Sequence, residues 1–172
     1  MSATIPFADR AIEKLRRLGA PLCIGFDPYP DLIPGLFGDA RGDLRAVERF
    51  FLEILELAAP RAAAVKPQLG FFEPYGAEGY ALAQRLCAEA RAQGLIVILD
   101  AKRGDIGTTA EGYARACLGA APGFDADAVT VNPYLGFDGL QPYFDMAEQR
   151  GKGVFTLVRT SNPGARDLQD LQ

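Results

Sequence analysis

Histidine is absent from all 172 residues, which removes the commonest proton shuttle near neutral pH and the commonest transition-metal ligand. Acid–base chemistry must then fall to carboxylates, Lys, Tyr or Cys. Cysteine is scarce: Cys23, Cys87 and Cys117 are odd in number and lack C-x-x-C spacing, so they are expected to be reduced core residues. Apolar runs are strand-sized and broken by Pro, Gly or charge, and none reaches the roughly 18–20 residues a membrane helix needs. The N-terminal Met1-Ser2-Ala3-Thr4-Ile5-Pro6 has no basic segment leading into an apolar core, which speaks against a secretory signal and for the cytoplasm. No G-x-G-x-x-G follows the first strand and no P-loop is present, which argues against a dinucleotide fold or a P-loop nucleotide site. With a net charge of −4 and dispersed arginines, there is no basic patch to bind nucleic acid. Lysine is scarce beside arginine, confined to Lys14, Lys66, Lys102 and Lys152.

What is there suits one soluble α/β domain with a sizeable core, 49% hydrophobic and 23% charged. Short apolar runs alternate with amphipathic stretches, the pattern of a parallel α/β protein. A helix is predicted over 7–18 with Gly19 as its stop, then a strand over 21–26 and a Pro/Gly-rich loop. Asp43 can cap a helix from Leu44 to about Ala59. Strands follow at 62–65, 95–99, 128–131 and 154–158, with intervening helices near 76–93, 108–118 and 139–149.

Each predicted strand ends on polar or charged residues: Asp27, Lys66, Asp100 with Lys102, Asn132, and Ser161 with Asn162. In a (β/α) barrel the C-terminal ends of parallel strands gather on one face, where catalytic groups from several strands meet. The densest group is Asp100-Ala101-Lys102-Arg103-Gly104-Asp105-Ile106, which follows Leu95-Ile96-Val97-Ile98-Leu99. Strand alternation puts Asp100 and Lys102 on one side. A solvated surface ion pair is the plain alternative. Two of the four lysines stand at strand ends in a chain that otherwise prefers Arg, and a compact ammonium there suggests chemistry more than solubility.

Gly25-Phe26-Asp27-Pro28, Val65-Lys66-Pro67-Gln68, Asp100-x-Lys102-x-x-Asp105-Ile106-Gly107-x-Thr109 and Thr160-Ser161-Asn162-Pro163-Gly164 occur in this order. Together they make the chain resemble the orotidine 5'-phosphate decarboxylases, in particular the bacterial branch with a long loop after the first strand. The resemblance implies a (β/α)8 TIM barrel and a cytoplasmic, cofactor-independent carboxy-lyase of pyrimidine biosynthesis. Such an enzyme converts orotidine 5'-monophosphate to uridine 5'-monophosphate. It implies a charged array of Lys66, Asp100, Lys102 and Asp105, with Lys102 protonating C6 after carbon dioxide leaves and flanking carboxylates keeping it protonated despite burial. It further implies a homodimer with shared sites, in which Asp105, Ile106 and Thr109 reach the partner's nucleotide. Asp27 and Lys66 would contact the ribose hydroxyls and Ser161 the pyrimidine. Asn132 is a further candidate, although Asn-Pro commonly opens a turn. The plain alternatives are a turn cap for Asp27 and a first-turn hydroxyl for Thr109.

Magnesium-dependent sugar-phosphate relatives share D-x-K-x-x-D but carry a Glu metal ligand where this chain has Lys66. An ammonium there would repel a divalent cation, so neither a metal nor an organic cofactor is expected. A full barrel takes about 200–250 residues, and only about five βα units are recognisable here. The expectation is therefore one incomplete barrel domain over 1–172, C-terminally truncated and without the late arginine that anchors phosphate. Arg159 and Arg166 lie in the wrong strand's loop for that role. A noncatalytic fragment, or an assembly module completed by another chain, is the alternative.

Overall fold

The apolar runs and amphipathic stretches become five parallel strands and five helices in a computed structural model that describes residues 5–170. The N-terminal stretch read as lacking a secretory signal begins in residues 1–4, which with 171–172 lie outside the described residues. The strands are β1 (Cys23–Phe26), β2 (Ala64–Pro67), β3 (Ile96–Arg103), β4 (Ala128–Val131) and β5 (Gly153–Thr156). The helices are α1 (Phe7–Leu18), α2 (Leu44–Ala58), α3 (Gly76–Ala92), α4 (Gly107–Leu118) and α5 (Phe137–Arg150). Among the described residues no helix is long and apolar enough to cross a membrane.

Spatial order in the sheet is sequence order, and every pairing is parallel. Right-handed crossovers that always step in one direction put all their helices on the same face. A doubly wound sheet would reverse direction once. This sheet does not reverse, so it is an arc of a singly wound barrel.

Alternation along each strand sorts side chains between the two faces. The row facing the helices, with Phe26, Val65, Val97, Leu99, Val129 and Val131, is fully buried in one core with residues of α2 to α5. The opposite row lines the concave side and is less covered. Cys23 is exposed there, which corrects the expectation that all three cysteines lie in the core; only Cys87 and Cys117 do. Phe155 remains 45% exposed on the same side.

Helix α1 lies across the N-terminal ends of the strands, opposite the motif-bearing ends. Arg10 donates to Asp127 Oδ1 at 2.7 Å, just before β4, and to the Gly151 carbonyl at 3.1 Å, just before β5. Lys14 donates to the Gly94 carbonyl ahead of β3. Phe7 packs edge-on to Phe155 with ring centroids 5.9 Å apart.

Most predicted boundaries agree with the observed ones, α1 and β4 in both ends. Asp43 caps α2 by accepting from the Arg45 N–H. Four strands differ. β2 begins two residues later than predicted, so Lys66 lies inside the strand; β1 likewise begins two residues later, at Cys23; β3 continues past Asp100 and Lys102 to Arg103; β5 is shorter, at Gly153–Thr156. Parallel pairing explains the first shift, because β2 takes its register from β1 through Gly25 opposite Lys66 and Phe26 opposite Pro67.

Candidate active site

The C-terminal ends of β2, β3 and β4 converge on the Asp100 carboxylate. Its residue is only 5% exposed, and a carboxylate so buried needs partners. It has four. Oδ2 accepts from Lys66 Nζ at 2.7 Å and Gln68 Nε2 at 3.0 Å; Oδ1 accepts from Lys102 Nζ at 2.6 Å and Thr130 Oγ1 at 2.8 Å. Two donors on each oxygen fix the plane of the group. Burial by itself pushes the Asp100 carboxyl up, but the hydrogen bonds from Lys102, Lys66 and Thr130 outweigh it and hold the group below its ordinary value. The solvated surface pair is thereby excluded for Asp100.

Strand register explains why these residues meet. Gln68 bridges Asp100 in parallel register, and Thr130 lies beside Asp100 on the concave side. Lys102 arrives by a less regular route. Between Leu99, opposite Val129, and Arg103, opposite Val131, β3 carries two more residues than β4. Lys102 absorbs this bulge with φ +47°, a left-handed conformation unusual for a side chain without special support. Its N–H donates to Thr130 Oγ1 at 3.0 Å, and the Arg103 carbonyl accepts from the Asn132 N–H at 2.8 Å. Arg103 pairs with Glu73 ahead of α3 and lies 5.6 Å from the centre of the Tyr113 ring of α4.

The Lys102 ammonium is not buried as expected, and that of Lys66 is similarly accessible. Side-chain exposure is 44% for Lys102 and 36% for Lys66, so both heads reach the concave surface while bonded to Asp100. An arrangement of two cations around one buried anion can hold an anionic ligand and place an acidic proton next to it.

The other candidates stand apart from this cluster. Asp105 is half-buried, and its carboxylate accepts from the Ile106 N–H at 2.8 Å rather than from either lysine. Ile106, the N-cap of α4, is 57% exposed, and Thr109 in the first turn of that helix is exposed. Asp27 is exposed at the end of β1, one residue beyond the Phe26–Pro67 pair. Ser161 is exposed in the loop after β5. Asn132 Oδ1 accepts from the Tyr134 N–H at 3.0 Å, the turn-opening role that its Asn-Pro context suggested.

Gln68 and Thr130 carry half of the Asp100 hydrogen bonds, and sequence reasoning gave neither a role. Thr130 carried a signal, as the one polar residue in the apolar run Ala128–Val131. Gln68 followed the Lys66-Pro67 pair without a feature of its own.

Three comparisons bear on this geometry. The family model described as "Orotidine 5'-phosphate decarboxylase / HUMPS family" matches residues 20–172. An orotidine 5'-phosphate decarboxylase of Deinococcus radiodurans is 45% identical over 166 residues, covering 96% of this chain and 57% of the relative. One from Corynebacterium efficiens is 48% identical over 151 residues, covering 87% of this chain and 52% of the relative. A crystal structure from Streptomyces avermitilis, assigned as the same enzyme, superposes with a TM-score of 0.89 at 40% identity, covering 99% of this chain and 58% of that one. The chain spans about half the length of the curated relatives it matches.

Proposed function

We propose, from the premise that this chain belongs to the orotidine 5'-phosphate decarboxylase / HUMPS family, that it carries the charged half of a site for decarboxylating orotidine 5'-monophosphate to uridine 5'-monophosphate. The observation that carries this reading is the Asp100 carboxylate clamped between Lys66 and Lys102 at the C-terminal ends of the strands. Loss of carbon dioxide leaves an electron pair on C6 of the pyrimidine. A fixed ammonium beside that carbon stabilises the developing charge and then supplies the proton, after which solvent reprotonates the amine. Lys102 takes that role. Asp100, unable to swing away because all four donors hold it, would face the departing carboxylate and disfavour the bound substrate relative to its transition state.

Asp27 and Lys66 would hold the ribose hydroxyls, Ser161 the pyrimidine, and Asn132 the rim of the same face. Asp105, Ile106 and Thr109, none of them hydrogen-bonded to the Asp100 cluster, would serve a second copy in a homodimer with shared sites. No step calls on a metal or organic cofactor, and a cytoplasmic setting fits the reading. Release of carbon dioxide from orotidine 5'-monophosphate tests it directly. Lys102→Ala should lower turnover by about 10³-fold or more while leaving the circular dichroism spectrum unchanged, and near-normal turnover in that variant would overturn the assignment.

A second reading has its own support. Phe155 and Val158 are 45% and 80% exposed, and β1 and β5 each have a neighbour on one side only. A module completed by another chain, inactive alone, fits those features. Carbon dioxide release by the purified chain, with sedimentation to define its assembly, separates the two.

A further inference from the structure

We infer that Thr130 is a positioning residue that holds the β3 bulge in place and thereby aims the Lys102 ammonium, a role resting on the assignment of Lys102 above. Among the described residues the Thr130 hydroxyl is the one side-chain group hydrogen-bonded to both partners of the pair, Lys102 and Asp100. It accepts from the Lys102 backbone N–H at 3.0 Å and donates to Asp100 Oδ1 at 2.8 Å. Because the N–H already occupies the oxygen as an acceptor, the hydroxyl proton is free for the carboxylate, and the two bonds fix each other's direction.

The backbone at Lys102 needs this support. Its φ of +47° is a conformation that a residue with a Cβ adopts only where its surroundings impose it. The bulge removes Lys102 from the regular ladder between Leu99–Val129 and Arg103–Val131, leaving its N–H with the side-chain oxygen of the neighbouring strand as acceptor. Without that oxygen the segment loses its reason to stay left-handed, and Lys102 Nζ loses its fixed distance from Asp100 Oδ1. Gln68 offers an internal contrast. It too donates to Asp100, at 3.0 Å on Oδ2, but makes no hydrogen bond to the Lys102 backbone, so its loss should disturb the carboxylate and spare the bulge.

The test compares Thr130→Val, which keeps shape and removes the hydroxyl, with Thr130→Ser, which keeps the hydroxyl, and with Gln68→Leu. Four lysines in the chain make selective lysine labelling a simple NMR experiment, and a labelled aspartate carboxyl reports Asp100. In Thr130→Val the Lys102 amide should exchange about tenfold faster and the Asp100 titration midpoint should rise. Thr130→Ser should match the parent in both. Gln68→Leu should raise the midpoint and leave Lys102 exchange unchanged. If Thr130→Val does not fold, Thr130→Ala is read the same way.

Unaltered Lys102 exchange in the folded hydroxyl-free variant, or a Thr130→Ser variant that behaves like it, would overturn the inference. In turnover, Thr130→Val should lower kcat about tenfold with KM within about threefold. The NMR readouts need no turnover, so a parent chain that releases no carbon dioxide would overturn the decarboxylase reading while the role of Thr130 is still decided.

Discussion

Asp100 concentrates the electrostatics of the site in one carboxylate. Burial works against its charge, and bonds from Lys102, Lys66 and Thr130 more than compensate, so the folded chain binds the Asp100 proton less tightly than the unfolded chain does. A lowered folded value means a contribution fully present above the ordinary value of 3.8 and lost as pH falls below it toward the folded value. Thermal unfolding followed from pH 6 downward should therefore show a steep acid loss of Tm, and Asp100→Asn should flatten it; equal slopes in the two proteins would contradict the linkage. At this scale the sequence was informative about charge and poor about neutral partners. The D-x-K spacing pointed to Asp100 and Lys102 because charges at a strand end demand an explanation. Gln68 and Thr130 are ordinary strand residues until register sets them beside Asp100, and register between strands 30 residues apart is not written in either strand. Cys23 misled for a related reason: apolar neighbours along the chain do not tell which face of β1 is covered.

Elements carry the site to its place through close approaches as much as through hydrogen bonds. Gly79 in the first turns of α3 is the tightest, since a Cβ there would lie 2.0 Å from the Phe72 carbonyl oxygen and 2.6 Å from the Tyr75 Cβ. The segment from Gln68 to Tyr75 thus folds directly onto the start of α3, and the same segment supplies Gln68 to Asp100 and Glu73 to Arg103. Gly79→Ala must push backbone against backbone, which typically costs about 1–3 kcal/mol. Its Tm should drop, measurable by calorimetry, and an unchanged Tm would mean that α3 can retreat without cost. Helices were legible almost to the residue, because caps and stops such as Asp43 and Gly94 are local chemistry. The bulge at Lys102 was not, since a plain alternating strand also puts Asp100 and Lys102 on one side.

The whole molecule is ordered along its sequence, each strand lying beside the strands before and after it. Regular alternation of runs made the barrel-type arc legible, and the ordered sheet distinguishes it from a doubly wound one. The N-terminal helix α1 is the exception to local order. Arg10 reaches Asp127 across 117 residues and Gly151 across 141. Asp127 is buried and also accepts from the Val97 N–H at 3.0 Å, so Arg10→Ala removes one of its two partners and should cost about 1–3 kcal/mol. Stopped-flow kinetics should place that loss in faster unfolding, with refolding within about twofold of the parent; a slowed refolding limb would put the latch in the transition state. Sheet order then has a consequence for synthesis. Each βα unit finds its docking partner in the unit just translated, so the arc can consolidate strand by strand at the ribosome with small loop-closure costs. The early helix has to wait, and the guanidinium of Arg10 closes the structure only after Gly151 has emerged.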